Sequence, residues 1–365
     1  MARRTMRGNM MPSRISIKVE NEAFVAWLRR QCDVVEADLA IKHERMRRDP
    51  FVFLRATYFR WARRVETVCP ELCGAPAVLA VGDVHLENFG TWRDSEARLV
   101  WGINDFDEAA VMPYPFDLVR LVTSAHLAPG LKMPIGEIAK CVLRGYRAAL
   151  AAPRPTLLDD HEKWMRPHVA CSDDERATFW DEIDRLPPAK PPRSIVRGLQ
   201  RSLPDGAEIR RLTTRRKGMG GRGRLRYVAD AEWSGGRVLR EARAVVPSAW
   251  HWAHDDEDAP LQSMELARGT HRAPDPTLDL QSGFVFRRIS ADARKVELNP
   301  AAQALLTDPL LEAMGFDLGA IHAAAKKKRV AEIIAHLKAR PIGWLQRAAS
   351  AASADVRLDY EEWTR

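Results

Sequence analysis

Two short acidic motifs hold the side chains that are best suited to chemistry in this chain. The first is GDVHLENFG (residues 82–90), and the second is NDFDE (residues 104–108). Their first aspartates, Asp83 and Asp105, lie 22 positions apart. Several carboxylates and an amide that gather at one point suit a hard cation and a proton acceptor. The motifs therefore indicate a site that binds a metal and removes a proton.

The spacing within the motifs favours phosphoryl transfer. Asp83, His85 and Asn88 follow one another closely, so a carboxylate that accepts a substrate proton can lie near an amide that binds magnesium. Asp105 would supply a second oxygen ligand. Mg²⁺ typically takes one or two protein carboxylates and fills its other positions with phosphate and water. Phosphoryl transfer uses such a site because the protein mainly positions groups and offsets charge.

Each motif follows an apolar run that predicts a short buried strand. The runs are residues 77–81 and 99–103, and the polar stretch between them is typical of a turn. A strand that ends in a polar cluster places its carboxylates at the edge of a sheet. Helices are predicted over residues 15–66, 116–127 and 135–152. Beyond residue 208, strands are predicted at 209–214, 225–229, 237–242, 284–289 and 295–298.

The two motifs together resemble known small-molecule kinases. GDVHLEN (residues 82–88) resembles the catalytic loop of aminoglycoside phosphotransferases, and Asp105-Phe106-Asp107 resembles their metal-binding motif. PYPFDL (residues 113–118) resembles the segment that follows, in which an aspartate at the position of Asp117 supports the catalytic loop. The resemblance implies a protein-kinase-like fold that uses ATP and magnesium and acts on the hydroxyl of a small molecule.

The resemblance also implies a role for each matched side chain. Asp83 would be the catalytic base, and His85 would brace the loop rather than react. Asn88 and Asp105 would hold magnesium, with Asp107 as a helper. The alternative interpretation is that these polar residues only cap the ends of strands.

A closer resemblance is to an uncharacterised bacterial family, domain of unknown function 2252. It rests on residues 82–90 together with residues 103–108. The similarity is strong over residues 45–125 and weaker over residues 209–300. Coupled motifs are less often accidental than single ones, because residue types, spacing and flanking strands must all agree.

A kinase also needs a segment that covers the nucleotide, and a glycine run fits this requirement. It matches G-x-G-x-x-G through Gly218, Gly220, Gly221 and Gly223. Glycines let the backbone approach a phosphate without Cβ clashes. A strand is predicted after the run, as in kinases, whereas a dinucleotide-binding run would lie between a strand and a helix. A flexible basic loop is the alternative interpretation.

The strand after the glycine run departs from the family pattern. Where the resemblance implies Lys-Glu-Ala, this chain has Arg240-Glu241-Ala242. Arg240 would contact phosphate, but its planar fork is not interchangeable with a lysine ammonium. The catalytic loop also precedes the glycine run, which reverses the usual order of a kinase. The resemblance therefore implies two lobes that are circularly permuted in sequence.

Together with the predicted helices and strands, the resemblance implies an α+β, two-lobed protein-kinase-like fold with its lobes circularly permuted in sequence. The predicted parts are an N-terminal helical region (1–76), a large catalytic lobe (77–190), a β-rich nucleotide-binding small lobe (191–300) and C-terminal helices that complete the large lobe (301–365). The prolines at positions 187–192 mark the expected boundary between the lobes.

Composition limits the location and the partners. The chain has 365 residues, of which 46% are hydrophobic, so a substantial core can form. Apolar runs are too short to cross a bilayer, and we expect a cytoplasmic protein without a membrane partner. The formal charge of +8 is concentrated between Arg193 and Arg226, a segment that contains eleven basic residues and only two acidic ones. This basic segment would attract phosphate groups or nucleic acid.

Four functions fit these residues. An ATP- and Mg²⁺-dependent phosphotransferase explains both acidic motifs, the glycine run and the basic segment. A pseudokinase that binds nucleotide without turnover is favoured by Arg240. A metal-dependent phosphoesterase is suggested by Asp83-Val84-His85, but the further histidine ligands of such enzymes are missing. Nucleic-acid binding has charge in its favour but no recognition motif.

Overall fold

The structure is a computed structural model that describes residues 14–216, 221–256, 259–295 and 307–365. Within these ranges it is a mixed α+β protein in which helices predominate and the strands form small antiparallel sheets. The α+β class expected from the sequence is therefore confirmed. None of the helices in these ranges combines the length and the apolar composition needed to cross a membrane.

The first four helices occupy the stretch around residues 15–66 that was predicted to be helical. Helix α3 begins separately because Pro50 takes its first position and Asp49 accepts a hydrogen bond from Val52 N at 2.8 Å. In chain order, the helices of the described residues are α1 (Ile17–Gln31), α2 (Glu36–Arg45), α3 (Pro50–Ala56), α4 (Tyr58–Val68), α5 (Pro115–Leu127), α6 (Ile135–Ala151), α7 (Arg166–Val169), α8 (Asp173–Asp184), α9 (Arg193–Ser202), α10 (Ala249–Ala253), α11 (Ser263–Ala267), α12 (Asp308–His322), α13 (Lys327–Ala339) and α14 (Trp344–Thr364).

The strands form sheets of two, three and five members in the described part of the chain. The strands are β1 (Ala77–Ala80), β2 (Phe89–Arg93), β3 (Leu99–Ile103), β4 (Ala110–Pro113), β5 (Thr156–Leu157), β6 (Glu208–Thr214), β7 (Arg226–Trp233), β8 (Gly236–Ala244), β9 (Asp279–Gln281) and β10 (Phe284–Ile289). β1 pairs with β4, and β3 lies between β2 and β5. The largest sheet has the order β6-β7-β8-β10-β9.

Two tight turns set the register of two strand pairs in the five-stranded sheet. Ser234 and Gly235 have φ angles of 48° and 76° and join β7 to β8, which confirms the hairpin predicted there. Ser282 and Gly283, with φ angles of 50° and 73°, join β9 to β10 in the same way. β10 therefore pairs with β9 and β8, not with the strand predicted at 295–298, most of which lies outside the described residues.

The proline-rich segment at 187–192 is not a free linker between lobes. Ala189 N donates to Leu212 O at 2.8 Å, and Thr214 N donates to Pro187 O at 3.0 Å, so the segment pairs with the edge of β6. Helix α8, which precedes it, also packs on the five-stranded sheet through the buried Ile183. The prolines favour an extended backbone, and an extended backbone can lie along a sheet edge as well as between lobes.

Helix α5 lies at the centre of the largest apolar core. Every residue from 115 to 125 is buried, and α14 packs against this helix. The same core contains residues of α1, α3, α4 and α6 and of the C-terminal helices. Two charged residues of α5, Asp117 and Arg120, are fully buried within it. Buried charges need bonded partners, and both have them in the loop that follows β1.

Helices α6 and α12 approach closely enough for their backbones to touch. A Cβ atom on Gly145 would collide with the carbonyl of Glu312, and one on Gly315 would collide with the carbonyl of Val142. Glycine is therefore required at both positions by the distance between the helices. This contact attaches the C-terminal helices to the part of the chain that carries the acidic motifs.

Gly145→Ala is expected to lower the free energy of unfolding by about 1–3 kcal/mol, because the added methyl group must push α12 away. Urea unfolding followed by circular dichroism measures this change. The matched control is Gly136→Ala on the same helix, where the new methyl group would meet only the end of the Gln346 side chain. The control should change stability by less than about 1 kcal/mol. Equal losses in both variants would contradict the backbone contact.

Candidate functional site

A cleft of about 1200 Å³ lies between the two acidic loops and the five-stranded sheet. Asp83, Asn88 and Asp105 line it on the loop side, and Gly221 lines it as well. His85 and Asp107 also line the cleft. Two of the four predicted glycines, 218 and 220, lie outside the described residues. One cavity thus brings together the three side chains predicted for chemistry and the end of the glycine run.

Gly82 lets the first acidic loop turn sharply after β1. It has a φ of +79°, a conformation that side chains rarely adopt. A Cβ atom there would collide with the carbonyl of Glu108 and lie 2.6 Å from Tyr58 Oη. The two acidic loops are therefore in direct contact at Gly82, so the position of Asp83 depends on a residue without a side chain before it.

Asp117 holds the start of this loop by its backbone. Its two carboxylate oxygens accept hydrogen bonds from Val81 N at 2.7 Å and Gly82 N at 2.9 Å. His322 Nε2 lies 3.1 Å from Asp117 Oδ2, and its other ring nitrogen lies 2.9 Å from Tyr146 Oη. All of these groups are buried. Helices α5, α6 and α12 thus converge on the backbone that carries Asp83.

Arg120 holds one oxygen of Asp83. Arg120 Nε donates to Asp83 Oδ1 at 3.0 Å, and Nη2 donates to the same atom. Asp83 Oδ2 is turned toward His85, whose Nε2 is 4.0 Å away. Burial raises the pKa of Asp83, and the charge of Arg120 opposes that rise. A carboxylate with one oxygen fixed and its basicity increased is suited to accept a proton.

His85 is a neutral imidazole at this site. Burial lowers the pKa of His85 well below its usual range, and Arg55, Arg120 and Lys295 lower it further. Its Nδ1 atom is buried without a hydrogen-bond partner in the described part of the chain. A neutral ring beside Asp83 adds no positive charge that would reduce the basicity of the carboxylate.

Asn88 connects the two acidic loops. Its amide nitrogen donates to Asp83 O and to Asp105 O, both at 3.1 Å. Its carbonyl oxygen, Oδ1, is buried and has no hydrogen-bond partner among the described residues. An unsatisfied buried oxygen costs about 1–3 kcal/mol unless a ligand or water reaches it. The orientation of Asn88 therefore leaves one good oxygen ligand available at the junction of the loops.

Arg243, from β8, binds both aspartates of the second loop. Its Nη1 and Nη2 atoms donate to Asp105 Oδ2 and Oδ1 at 2.8 and 3.0 Å, and Nη2 also donates to Asp107 Oδ1 at 2.5 Å. Arg224 Nη2 lies 3.0 Å from Asp107 Oδ2. Burial alone would raise the pKa of Asp105, but Arg243 and Lys295 hold it well below its usual range. Asp105 is therefore ionised.

Asp317 supports the strand that leads into the second loop. Its Oδ2 atom accepts a hydrogen bond from Ile103 N at 2.8 Å, and Arg272 binds both Asp317, at 2.9 Å, and Ile103 O. The carboxylate reaches the strand because Gly102 has no side chain in its way. A buried carboxylate from α12 thus holds the second loop, as Asp117 holds the first.

Glu108 is a half-buried carboxyl group at the end of the second motif. Its Oε2 atom accepts hydrogen bonds from Ala249 N at 2.7 Å and Ser248 Oγ at 3.1 Å. Burial raises the pKa of Glu108 to about 7, with Asp83 and Asp107 adding to the rise and Arg224 opposing it. Glu108 therefore changes protonation near neutral pH, next to Asp83.

The end of the glycine run packs against the segment before α2. Val35 N donates to Gly223 O at 2.8 Å, and Val34 forms an isolated bridge with Arg224. Gly223 has a φ of +100°, and a Cβ atom there would meet the side chain of Leu39. The N-terminal helices therefore help to position residues 221–224 at the cleft.

The structure does not bring Arg240 to the cleft. Arg240 Nε donates to Ser202 O at 2.6 Å, and Nη1 donates to Leu239 O at 2.9 Å. Side chains alternate along a strand, so Arg240 shares the face of the sheet that packs on α9. Glu241 and Arg243 lie on the opposite face. The structure therefore gives no support to the prediction that Arg240 contacts phosphate in this cleft. The motif match could not show this, because it does not specify which face of the strand each residue takes.

The basic segment at 193–226 is divided between the two faces of the sheet. The arginines of α9 lie on the side away from the cleft, because α9 packs there. Arg215, Arg224 and Arg226 line the cleft on the other side, with little solvent exposure. The segment is therefore not one continuous exposed basic surface.

Sequence reasoning missed Arg120 and Arg243, two of the arginines that bind the acidic motifs. Arg120 had a visible signal, because a charged residue within the apolar helix PFDLVRLVTSAHL must find a buried partner. Arg243 had a weaker one, because it lies two positions after Glu241 and therefore on the same face of β8. Neither signal identifies the partner without the fold.

Comparison with known proteins supports the resemblance to a bacterial family. Residues 32–172 match the profile of a family described as an uncharacterized protein conserved in bacteria (DUF2252). That resemblance is confirmed over this stretch. No curated protein and no solved structure matches the chain.

The matched stretch contains both acidic loops and the two buried residues of α5 that hold the first one. It ends before the five-stranded sheet, so Gly221 and Arg243 lie outside it. The family description states no activity. Function must therefore be argued from the cleft itself.

Glu108 predicts that stability falls as the pH rises. Its pKa is 4.5 as a free group and about 7 in the folded protein, so the folded state binds the proton more tightly. This contribution is complete below the unfolded pKa and is lost as the pH rises through the folded one. The wild type is expected to lose roughly 1–3 kcal/mol of its free energy of unfolding between about pH 5 and about pH 8 because of this group. Glu108→Gln should not show this loss. Urea unfolding at several pH values measures the difference.

Other groups titrate in both proteins, so the informative quantity is the difference between wild type and variant. Glu137→Gln is the matched control, because that side chain is 52% exposed and pairs only with Lys140 at the surface. Its curve should parallel that of the wild type. Parallel curves for all three proteins would show that Glu108 keeps an ordinary pKa.

Proposed function

We propose that the protein is an ATP- and Mg²⁺-dependent phosphotransferase that acts on the hydroxyl of a small molecule. The observation that supports this most strongly is the geometry of Asn88. Its amide nitrogen joins the backbones of Asp83 and Asp105, and its buried oxygen has no partner among the described residues. A base, an open oxygen ligand and an ionised carboxylate therefore meet in one cleft.

The residues present fit a magnesium ion. Asn88 Oδ1 and Asp105 would hold it, which leaves positions for phosphate oxygens and water. When bound, the ion would offset the charge of the phosphates. Asp83 would accept the proton of the acceptor hydroxyl through Oδ2, because Arg120 occupies Oδ1. Arg120 and Asn88 would orient Asp83, and His85 would remain neutral beside it.

A permuted two-lobed kinase-like arrangement belongs to the same proposal. In its favour, the five-stranded sheet follows the acidic loops in sequence and faces them across the cleft. Helix α12 comes late in the chain but packs on α6 and contacts Asp117 through His322. In this arrangement the sheet with the glycine run would be the small lobe and the helical core the large lobe.

A pseudokinase is the second candidate, and Arg243 favours it. Both oxygens of Asp105 accept hydrogen bonds from this one guanidinium. In the described part of the chain, Arg240 is also bonded away from the cleft. A protein with this arrangement could bind a nucleotide while holding its metal ligand out of use. Metal dependence of binding therefore separates the two candidates.

Two other functions are less well supported. A two-metal phosphoesterase needs several closely placed ligands, and the described residues contain no group of three or more His, Cys, Asp or Glu side chains that could hold a metal. Nucleic-acid binding would need a continuous basic surface, whereas the basic segment is split across the sheet.

Asp83→Asn is expected to lower phosphoryl transfer about 10²–10⁴-fold, because an amide cannot accept the proton. The measurement is transfer of label from the γ-phosphate of ATP to small molecules in a bacterial extract. Asp159→Asn, a change of an aspartate that is 53% exposed, is the matched control and should retain full activity. Normal transfer by Asp83→Asn, with circular dichroism showing a folded protein, would rule out its role as base.

The thermal midpoint in the presence of ATP is expected to rise further when magnesium is also present, and this additional rise should be lost in Asp105→Asn. The reason is that the carboxylate contributes charge to the metal site, and binding to the folded state alone stabilises it by mass action. The experiment compares ATP, ADP and adenosine, each with and without magnesium. A shift with ATP that is equal in both proteins and independent of magnesium would favour the pseudokinase.

A further inference from the structure

The cleft-facing side of the five-stranded sheet carries a set of arginines. β7 and β8 pair so that Arg226 lies opposite Arg243, and β8 and β10 pair so that Glu241 lies opposite Arg287. Arg215 extends β6 next to Arg226, because Arg215 N donates to Arg226 O. Side chains alternate along strands, so these residues share one face of the sheet.

Glu241 lies at the centre of this set and is fully buried. Arg226 Nη1 donates to its two oxygens at 3.3 and 3.1 Å, and Arg287 Nε donates to Oε1 at 2.8 Å. Arg215 Nη1 lies 4.0 Å from Oε2. The charges of these arginines lower the pKa of Glu241 well below its usual range despite its burial. One carboxylate thus orients two guanidinium groups and lies near a third.

The charges in this set do not balance. Glu241 is shared by Arg226 and Arg287. Arg243 and Arg224 pair with Asp105 and Asp107, and Arg215 pairs with Glu182, so five arginines meet four carboxylates. Burial lowers the pKa of Arg226 to about 10, with Arg243 and Arg287 adding to the decrease. A buried cation without its own counter-charge is unfavourable, so an anion that enters the cleft would be stabilised there.

The set lies close to the acidic loops. Glu241 and Arg243 are two residues apart on β8, roughly 7 Å along the strand, and Arg243 is bonded to Asp105. Lys295, which is exposed to solvent, lines the same cleft, and its position is fixed by a bridge to Gly90 beside the first loop. An anion that contacts the arginines would therefore lie within reach of Asp105.

We propose that Arg226 and Arg287, oriented by the shared Glu241 and joined by Arg215 and Lys295, form a binding site for a polyphosphate chain. The guanidinium forks would each bind phosphate oxygens in pairs, and Lys295 would act as a point charge at the entrance. This assignment takes the place of the contact expected from Arg240. It rests on the proposed function only in that both require a phosphorylated ligand in this cleft.

Inorganic tripolyphosphate without magnesium or nucleotide is the probe, and isothermal titration calorimetry at fixed salt is the measurement. Arg287→Gln is expected to weaken binding at least about tenfold, the usual effect of losing a charge-assisted hydrogen bond. Lys295→Gln, a change of an exposed side chain, should weaken it about threefold or more. Arg210→Gln removes an arginine of the same sheet that is 63% exposed and does not line the cleft. This control should bind like the wild type.

Absence of binding by the wild type would overturn the assignment. Equal binding by the wild type, Arg287→Gln and Lys295→Gln would also overturn it. If Arg287→Gln fails to fold, the Lys295→Gln result decides alone, because that change leaves the buried cluster intact.

The assignment and the proposed function can fail separately. Weakened tripolyphosphate binding in Arg287→Gln, with no phosphoryl transfer by the wild type, would keep the polyphosphate site and remove the phosphotransferase. Transfer by Arg287→Gln with an unchanged KM for ATP would remove the site and keep the phosphotransferase.

Discussion

The contact between Arg243 and the two aspartates of the second acidic loop determines the form of the site. It joins the five-stranded sheet to the acidic loops across 138 positions of sequence. The Arg243 side chain is 6% exposed and the Asp105 side chain 26%, so the contact is partly shielded from water. The position of the sheet and the ionisation of Asp105 are therefore coupled, and neither can change without the other.

The same contact explains why a metal would bind well only when a phosphate is also in the cleft. Asp105 and Asp107 face Arg243 and Arg224, so the positive and negative charges on the loop side of the cleft are already matched. A divalent cation alone would gain little there, because its charge would meet arginines as well as carboxylates. Phosphate oxygens would compensate that charge, and the surplus arginines beside Glu241 would in turn compensate the phosphate.

The local parts of the site could be predicted from the sequence, and the contacts between distant parts could not. Asp83, Asn88 and Asp105 follow strands that the apolar runs predicted correctly, and one cleft contains all three. Arg240 was chosen because it precedes Glu241 in a familiar triplet, but strand alternation places it on the opposite face. Arg226 reaches Glu241 through the register of β7 and β8, which a Ser-Gly turn joins. Arg287 reaches it through the pairing of β8 with β10, which a long segment and not a tight turn connects. Register depends on pairing over long distances, and a motif does not encode it.

The two acidic loops are held in the same way, each by a helix carboxylate that accepts hydrogen bonds from backbone N–H groups. Asp117 accepts the backbone N–H groups of Val81 and Gly82, and Asp317 accepts the backbone N–H group of Ile103. Both carboxylates belong to buried helices, and Gly102 leaves room for the close approach of Asp317. Such bonds depend on where the helices pack and not on their order in the chain. A late helix such as α12 can therefore support an early loop, and a rearranged order of segments is compatible with one rigid site.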